Sequence, residues 1–181
     1  MIPATVAGRQ AFVGLGANLG DARATLAAAF DALDCLPQTR PVARSPVYRS
    51  APVAASGPDF FNAVAWLSTA LAPEALLAEL QRIEQQFGRQ RPYHHAPRTL
   101  DLDLLLLDSE VRCGPALTLP HPRLHLRAFV LRPLLDLCPG LAAPGLGPLA
   151  AWLPATAGQP IERLPGPHGP AHRPGGPLPA A

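Results

Sequence analysis

RTLDLDLLLL, running from Arg98 to Leu107, is a leucine stretch interrupted by two aspartates. Leucines on successive residues suit a strand buried on both faces, because side chains alternate across a sheet. Asp101 and Asp103 stand two apart, so they share one face with Cα atoms ~6.6 Å apart. Upstream, Ala11–Gly16 (AFVGLG) reads as a buried strand ending in glycine. Asn18 to Asp21 forms a turn, with Asp21 placed to cap the next helix. In that helix Leu26, Ala29, Phe30 and Leu33 fall on one face. Val42–Ser50 predicts a second strand, on an edge because Pro46 interrupts it. Phe60–Thr69 predicts a third. A second helix opens at Pro73 and ends before Gly88, with Leu76, Leu80, Ile83 and Phe87 as its apolar stripe. Taking Leu100–Leu107 as the fourth strand, the order is β-α-β-β-α-β. That order predicts an α+β, ferredoxin-like sandwich, with helices on one face of an antiparallel sheet and the other face free for a site. A C-terminal helical segment around Arg127–Leu137 follows.

The chain has 181 residues, 48% of them hydrophobic, enough for one domain with a real core. Its net charge of +2 advertises neither nucleic acid nor an anionic membrane. All 15 basic residues are arginine. The missing lysine excludes a P-loop and any Schiff-base mechanism, so bound phosphate has to be held by arginine forks. Cys35, Cys113 and Cys138 are too scattered for a zinc site or a disulfide framework, and a reduced compartment is expected. The first residues have no signal-peptide pattern, and prolines break the longest uncharged stretch, so a cytoplasmic chain without a membrane span is expected. The folded part is placed at residues 11–153. Residues 154–181, rich in Pro and Gly, read as a disordered tail, and His168 and His172 in it read as solvated bystanders.

Two carboxylates in a leucine strand are costly to bury unpaired. Either they sit at an exposed strand end or against arginines, or a divalent cation offsets their repulsion. Hard oxygen ligands on a rigid strand suit Mg²⁺, and two of them can bridge a metal pair. Arg89, Arg91 and Arg98 precede them closely, the combination that phosphoryl groups held through Mg²⁺ require. The loop GRQRPYHHAP, Gly88 to Pro97, has no helix or strand period and reads either as a lid over phosphates or as a plain connection. His94 and His95 are adjacent and project differently, so they are not taken as metal ligands. Phe60 and Asn62 share a strand face, where a ring can stack on a flat heterocycle and an amide can read its edge; a core Phe beside an edge Asn is the plainer alternative. Gln81 and Glu84 lie one turn apart on the second helix, a solvated face by default. Thr118, His121 and Arg127 come near one another in LTLPHPRLHLR. Phe129 alone reads as core.

Taken together, VGLGANLGD, SPVYRSAPV, PDFFNAV, QRIEQQFGR, APRTLDLDLLL, LTLPHPR and RAFVLRPLLDLCP resemble the 6-hydroxymethyl-7,8-dihydropterin pyrophosphokinase family, in the family's order over about Phe12 to Pro139. The resemblance implies ATP-dependent transfer of a pyrophosphoryl group to the pterin hydroxymethyl oxygen with release of AMP, within folate biosynthesis. It implies two Mg²⁺ ions on Asp101 and Asp103, with Arg89 and Arg98 neutralising phosphate charge. Phe60 and Phe129 would sandwich the pterin, Asn62 would bond its edge, and Ser50, Pro52 and Val53 would line its pocket. Gln81, Glu84, Arg91, Arg98, Thr118, His121 and Arg127 match ATP-side positions. Small-molecule substrates, no nucleic acid, no membrane and a monomer are expected. Some members carry Tyr at Phe60, Trp at His95 and Gly at Ala96. The competing readings are another Mg²⁺-dependent nucleotidyltransferase or nuclease, and an RNA-binding sheet. The latter is disfavoured by the absent RNP1 pattern and the weak charge.

Overall fold

The computed structural model describes residues 8–52, 57–88 and 99–166. Strand β1 (Arg9–Ala17) lies inside the sheet, antiparallel to a strand on either side. Helix α1 (Ala22–Asp34) follows, and the Asp21 carboxylate accepts from Ala24 N–H at 3.0 Å, capping it as expected. The expected single strand at Val42–Ser50 is two: β2 (Thr39–Arg44) and β3 (Tyr48–Ser50). Pro46 divides them, and both pair with β4 (Phe60–Thr69). Helix α2 (Pro73–Gln86) opens on a proline, whose missing N–H costs nothing in a first turn. Strand β5 is Asp101–Leu107. A small hairpin of β6 (Arg112–Cys113) and β7 (Thr118–Leu119) leads into a 3₁₀ turn at Leu124–Leu126 and helix α3 (Ala128–Leu137). The chain then makes a second small hairpin, β8 (Ala142–Ala143) with β9 (Gly147–Pro148). It closes with a 3₁₀ segment, Leu149–Thr156, and strand β10 (Ile161–Arg163).

The sheet runs β10–β3–β4–β1–β5, with β2 also on β4, and its pairings are antiparallel. This is a mixed α/β fold. Side-chain alternation sends Val13, Leu15, Ala63, Ala65, Leu67, Leu102 and Leu104 to one face. There they bury Leu26, Phe30 and Leu33 of α1 with Leu76, Leu80 and Ile83 of α2. Each such buried side chain contributes roughly 1.5–3 kcal/mol by leaving water.

Two expectations are corrected here. The face away from α1 and α2 is not free along its whole length. Phe12, Val64, Leu105 and Leu106 pack there against Val130, Leu131 and Leu134 of α3 and against Leu149. A register shift between Phe12 and Val13 lets Leu105 and Leu106 both face this second core, which explains why the leucine run does not alternate. The disordered tail is also not borne out for its first part. Leu149–Thr156 runs past the expected boundary, and β10 pairs with β3, covering the edge that Pro46 was expected to expose. Main-chain pairing needs no apolar pattern, so composition did not reveal it. Leu164 N–H extends the contact to Val47 O at 2.9 Å. His168 and His172 lie outside the described residues.

Candidate functional site

Three adjacent strands put their even or odd partners in one row. Gly16 of β1 is in register with Asn62 of β4 on one side and Asp101 of β5 on the other. One step along, Gly14 stands between Val64 and Asp103. Phe12 belongs to the second core, so Gly14 and Gly16, spaced by two from it, face the same side. Leu102 and Leu104 belong to the first core, so Asp101 and Asp103 also face the second side. Asn62 and the aspartates therefore line one trough about 10 Å across, twice the interstrand spacing, with no side chain on the strand between them.

Neither glycine has a positive φ; those occur at Gly20, Gly88, Gly145 and Gly147. A Cβ on Gly16 would lie 3.4 Å from Asn62 Oδ1, and one on Gly14 would lie 3.4 Å from Leu105 Cδ1. Space, not backbone strain, is what these glycines supply. Sequence reasoning passed over them, although small residues two apart in VGLG were the available signal.

Asn62 is buried, and its Nδ2 donates to Ser50 Oγ at 3.0 Å, which orients the amide. Phe60 shares its face two residues earlier, half-buried at the strand end, and pairs with Ser50 across the ladder. Pro52 is half-buried just beyond. Asp101 and Asp103 are likewise half-buried. Asp101 and Asp103 thus share a face as expected.

The expected solvated face of α2 holds for Gln81, which is exposed, and fails for Glu84, which is 2% exposed. Glu84 Oε1 accepts from Leu102 N–H at 2.8 Å. Among the described residues β5 ends the sheet order, so no described strand bonds its outward N–H groups, and Glu84 takes the one lying between the two aspartates. A helix-face count cannot find a partner that is main chain eighteen residues on.

His121 N–H donates to Leu105 O at 2.9 Å, tying its loop to the aspartate strand. Its Nδ1 accepts from Arg123 N–H at 3.2 Å. Burial pushes the imidazole pKa below its ordinary value; Asp103 opposes this, and Arg127 and Arg123 reinforce it. Thr118 sits on β7, its hydroxyl donating to Gly114 O at 3.3 Å. Phe129 lies in the first turn of α3, packed on the second core, with the Arg127 guanidinium 5.5 Å from its ring centre. Val53, Arg89, Arg91 and Arg98, and the histidines at 94 and 95, lie outside the described residues.

An antiparallel sheet with helices on one side, and on the other a trough flanked by an amide and a carboxylate pair, defines the chain as a mixed α/β protein. The chain belongs to the 7,8-dihydro-6-hydroxymethylpterin-pyrophosphokinase family, whose profile matches residues 12–139. It is 47% identical over 159 residues to the 2-amino-4-hydroxy-6-hydroxymethyldihydropteridine pyrophosphokinase of Pseudomonas aeruginosa, covering 87% of this chain and 98% of that one. It is 42% identical over 135 residues to the Haemophilus influenzae protein of the same name, covering 74% and 84%. A solved structure described as HPPK-DHPS in complex with substrates superposes with a TM-score of 0.66 at 12% identity. That match covers 83% of this chain and 43% of the solved one, so the chain spans less than half of that protein.

Proposed function

We propose that the chain is an ATP-dependent pyrophosphokinase acting on 6-hydroxymethyl-7,8-dihydropterin in folate biosynthesis. Family membership, and relatives of that name aligned over nearly their full length, support the activity. The observation that carries the site assignment is the row Asn62–Gly16–Asp101. The flat heterocycle lies over the glycine floor, stacked by Phe60 and Phe129 and read at its edge by Asn62, with Ser50, Pro52 and Val53 around it. ATP lies beyond, with Gln81, Arg91, Thr118, His121 and Arg127 on its side. Glu84 contributes by holding β5.

Among the described residues no three His, Cys, Asp or Glu side chains converge as a metal cage. Two carboxylates that leave the remaining positions to phosphate oxygens and water are the donor set Mg²⁺ favours, so Asp101 and Asp103 fit a pair of such ions. Asp101 and Asp103 would hold the magnesium, which when bound would draw charge from the phosphate oxygens and acidify the attacking hydroxyl. In the reaction the pterin hydroxymethyl oxygen bonds to the β-phosphorus. The bond from that phosphorus to the α-bridging oxygen breaks, and AMP departs with the electron pair. The Asp103 carboxylate accepts the hydroxyl proton. Arg89 and Arg98 neutralise the developing charge. Little more is needed than alignment of the two substrates.

We read the sheet as ferredoxin-like, with β2 and β3 sharing the place of one strand, which its order supports. The catalytic domain begins at about residue 11 and includes the added strand β10. Both cores are complete within one chain, which supports a monomer. No helix among the described residues is long and apolar enough to cross a membrane. The weak net charge favours small-molecule substrates over nucleic acid, and the scattered cysteines favour the cytoplasm.

Mass spectrometry of products from ATP, hydroxymethyldihydropterin and Mg²⁺ tests the reaction: AMP with pterin diphosphate is expected, and ADP or released pyrophosphate overturns it. Asp101→Ala and Asp103→Ala should each lower kcat by roughly a thousandfold or more with folding intact. Normal turnover in either removes the metal assignment.

A further inference from the structure

We infer that Gln159 is a positioning residue that fixes the aromatic wall of the pterin pocket, an inference that rests on the pterin assignment of Phe129. Gln159 lies outside residues 12–139, the region the family profile matches. Its Oε1 accepts from Ala128 N–H at 2.9 Å, and its Nε2 donates to Leu126 O at 2.8 Å. The one carboxamide thus brackets Arg127, whose backbone is extended at φ −124° and ψ 115°. An extended residue presents the carbonyl before it and the N–H after it on the same side, and Gln159 meets both as a neighbouring strand would. Arg127 makes no side-chain cap for α3, so Gln159 satisfies one of that helix's open N–H groups. Phe129 is the next residue but one. The Gln159 main chain is itself held, donating to Thr156 O at 3.0 Å. Two residues on, Ile161 pairs with Ser50, which receives the Asn62 amide. The strap therefore braces both sides of the proposed pocket. A stacked ring with two rotatable bonds tolerates less backbone drift than a long arginine, so the pterin side should feel the loss more than the ATP side.

The test is steady-state kinetics on the full chain. Gln159→Ala should raise KM for the pterin roughly three- to tenfold while KM for ATP and kcat change by less than about twofold. Gln159→Glu keeps the acceptor for Ala128 N–H but sets a carboxylate oxygen against Leu126 O, so the pterin KM should stay raised. Gln159→Met, of similar length and without either bond, repeats the test should the alanine variant lose its fold. Phe129→Ala separates the two ideas. An unchanged pterin KM in Phe129→Ala removes the wall assignment, and this inference with it. A raised pterin KM in Phe129→Ala beside an unchanged one in both Gln159→Ala and Gln159→Met overturns the role of Gln159 alone. A proportional rise in both substrates' KM overturns it as well.

Discussion

Gly16 has ordinary extended backbone, and a methyl group there would meet Asn62 Oδ1 at 3.4 Å, a contact that a small shift relieves. Gly16→Val should therefore fold, since a branched residue suits a strand, while its side chain stands in the trough. The expected result is a loss of about tenfold or more in kcat/KM, about 1.4 kcal/mol, with a melting temperature near that of the parent. Turnover at the parental rate would mean that no substrate crosses the strand at this point. The aspartate pair, Phe60 and Asn62 were legible in the sequence because the two-residue repeat of a strand fixes which side chains share a face. The glycine floor was not, because a glycine marks a site only once its neighbours in register are known. Glu84 was misread on its solvated alternative because its partner is a main-chain N–H, to which no sequence pattern points.

At the level of elements, α1 is closed at its start by Asp21, with no acidic residue in its first turn to assist. Asp21→Ala should cost about 0.5–2 kcal/mol, read as a lower denaturant midpoint with unchanged slope. A midpoint equal to the parent's would show that another acceptor satisfies the Ala24 N–H. Truncating Leu80, fully buried beneath the sheet, should cost about 2–5 kcal/mol by leaving a cavity. Helices were legible because apolar residues recur every three or four positions: Leu26, Phe30, Leu33 and Leu76, Leu80, Ile83 are the core contacts that periodicity selects. Strand β10 was not, because Ile-Glu-Arg alternates nothing and its flanking prolines look like tail.

On the scale of the whole molecule, one polar knot joins three distant segments. Tyr48 of β3 donates its hydroxyl to Asp136 of α3 at 2.7 Å, and Arg163 of β10 lies 3.7 Å from the same carboxylate oxygen. Burial, then the hydrogen bond and charge of Asp136, push the phenol pKa well above its ordinary 10.0. A group whose value rises on folding lends stability below its unfolded pKa and loses it as pH climbs beyond. Thermal stability should hold up to about pH 10 and then fall, because the unfolded chain sheds a proton the folded one keeps. Tyr48→Phe should cost about 1–2 kcal/mol at neutral pH and flatten that alkaline decline. An equally steep decline in the variant would assign it to other groups.

Strand β10 carries a further consequence for how the protein is made. Because residues 161–163 close the edge of β3, that edge has no neighbour until they leave the ribosome. Throughout synthesis the nascent sheet presents an open template at this margin, where strands of other chains can anneal. Crowded or rapid production should therefore make polymers through β3, and a chaperone that shields extended backbone would act at the moment before β10 arrives.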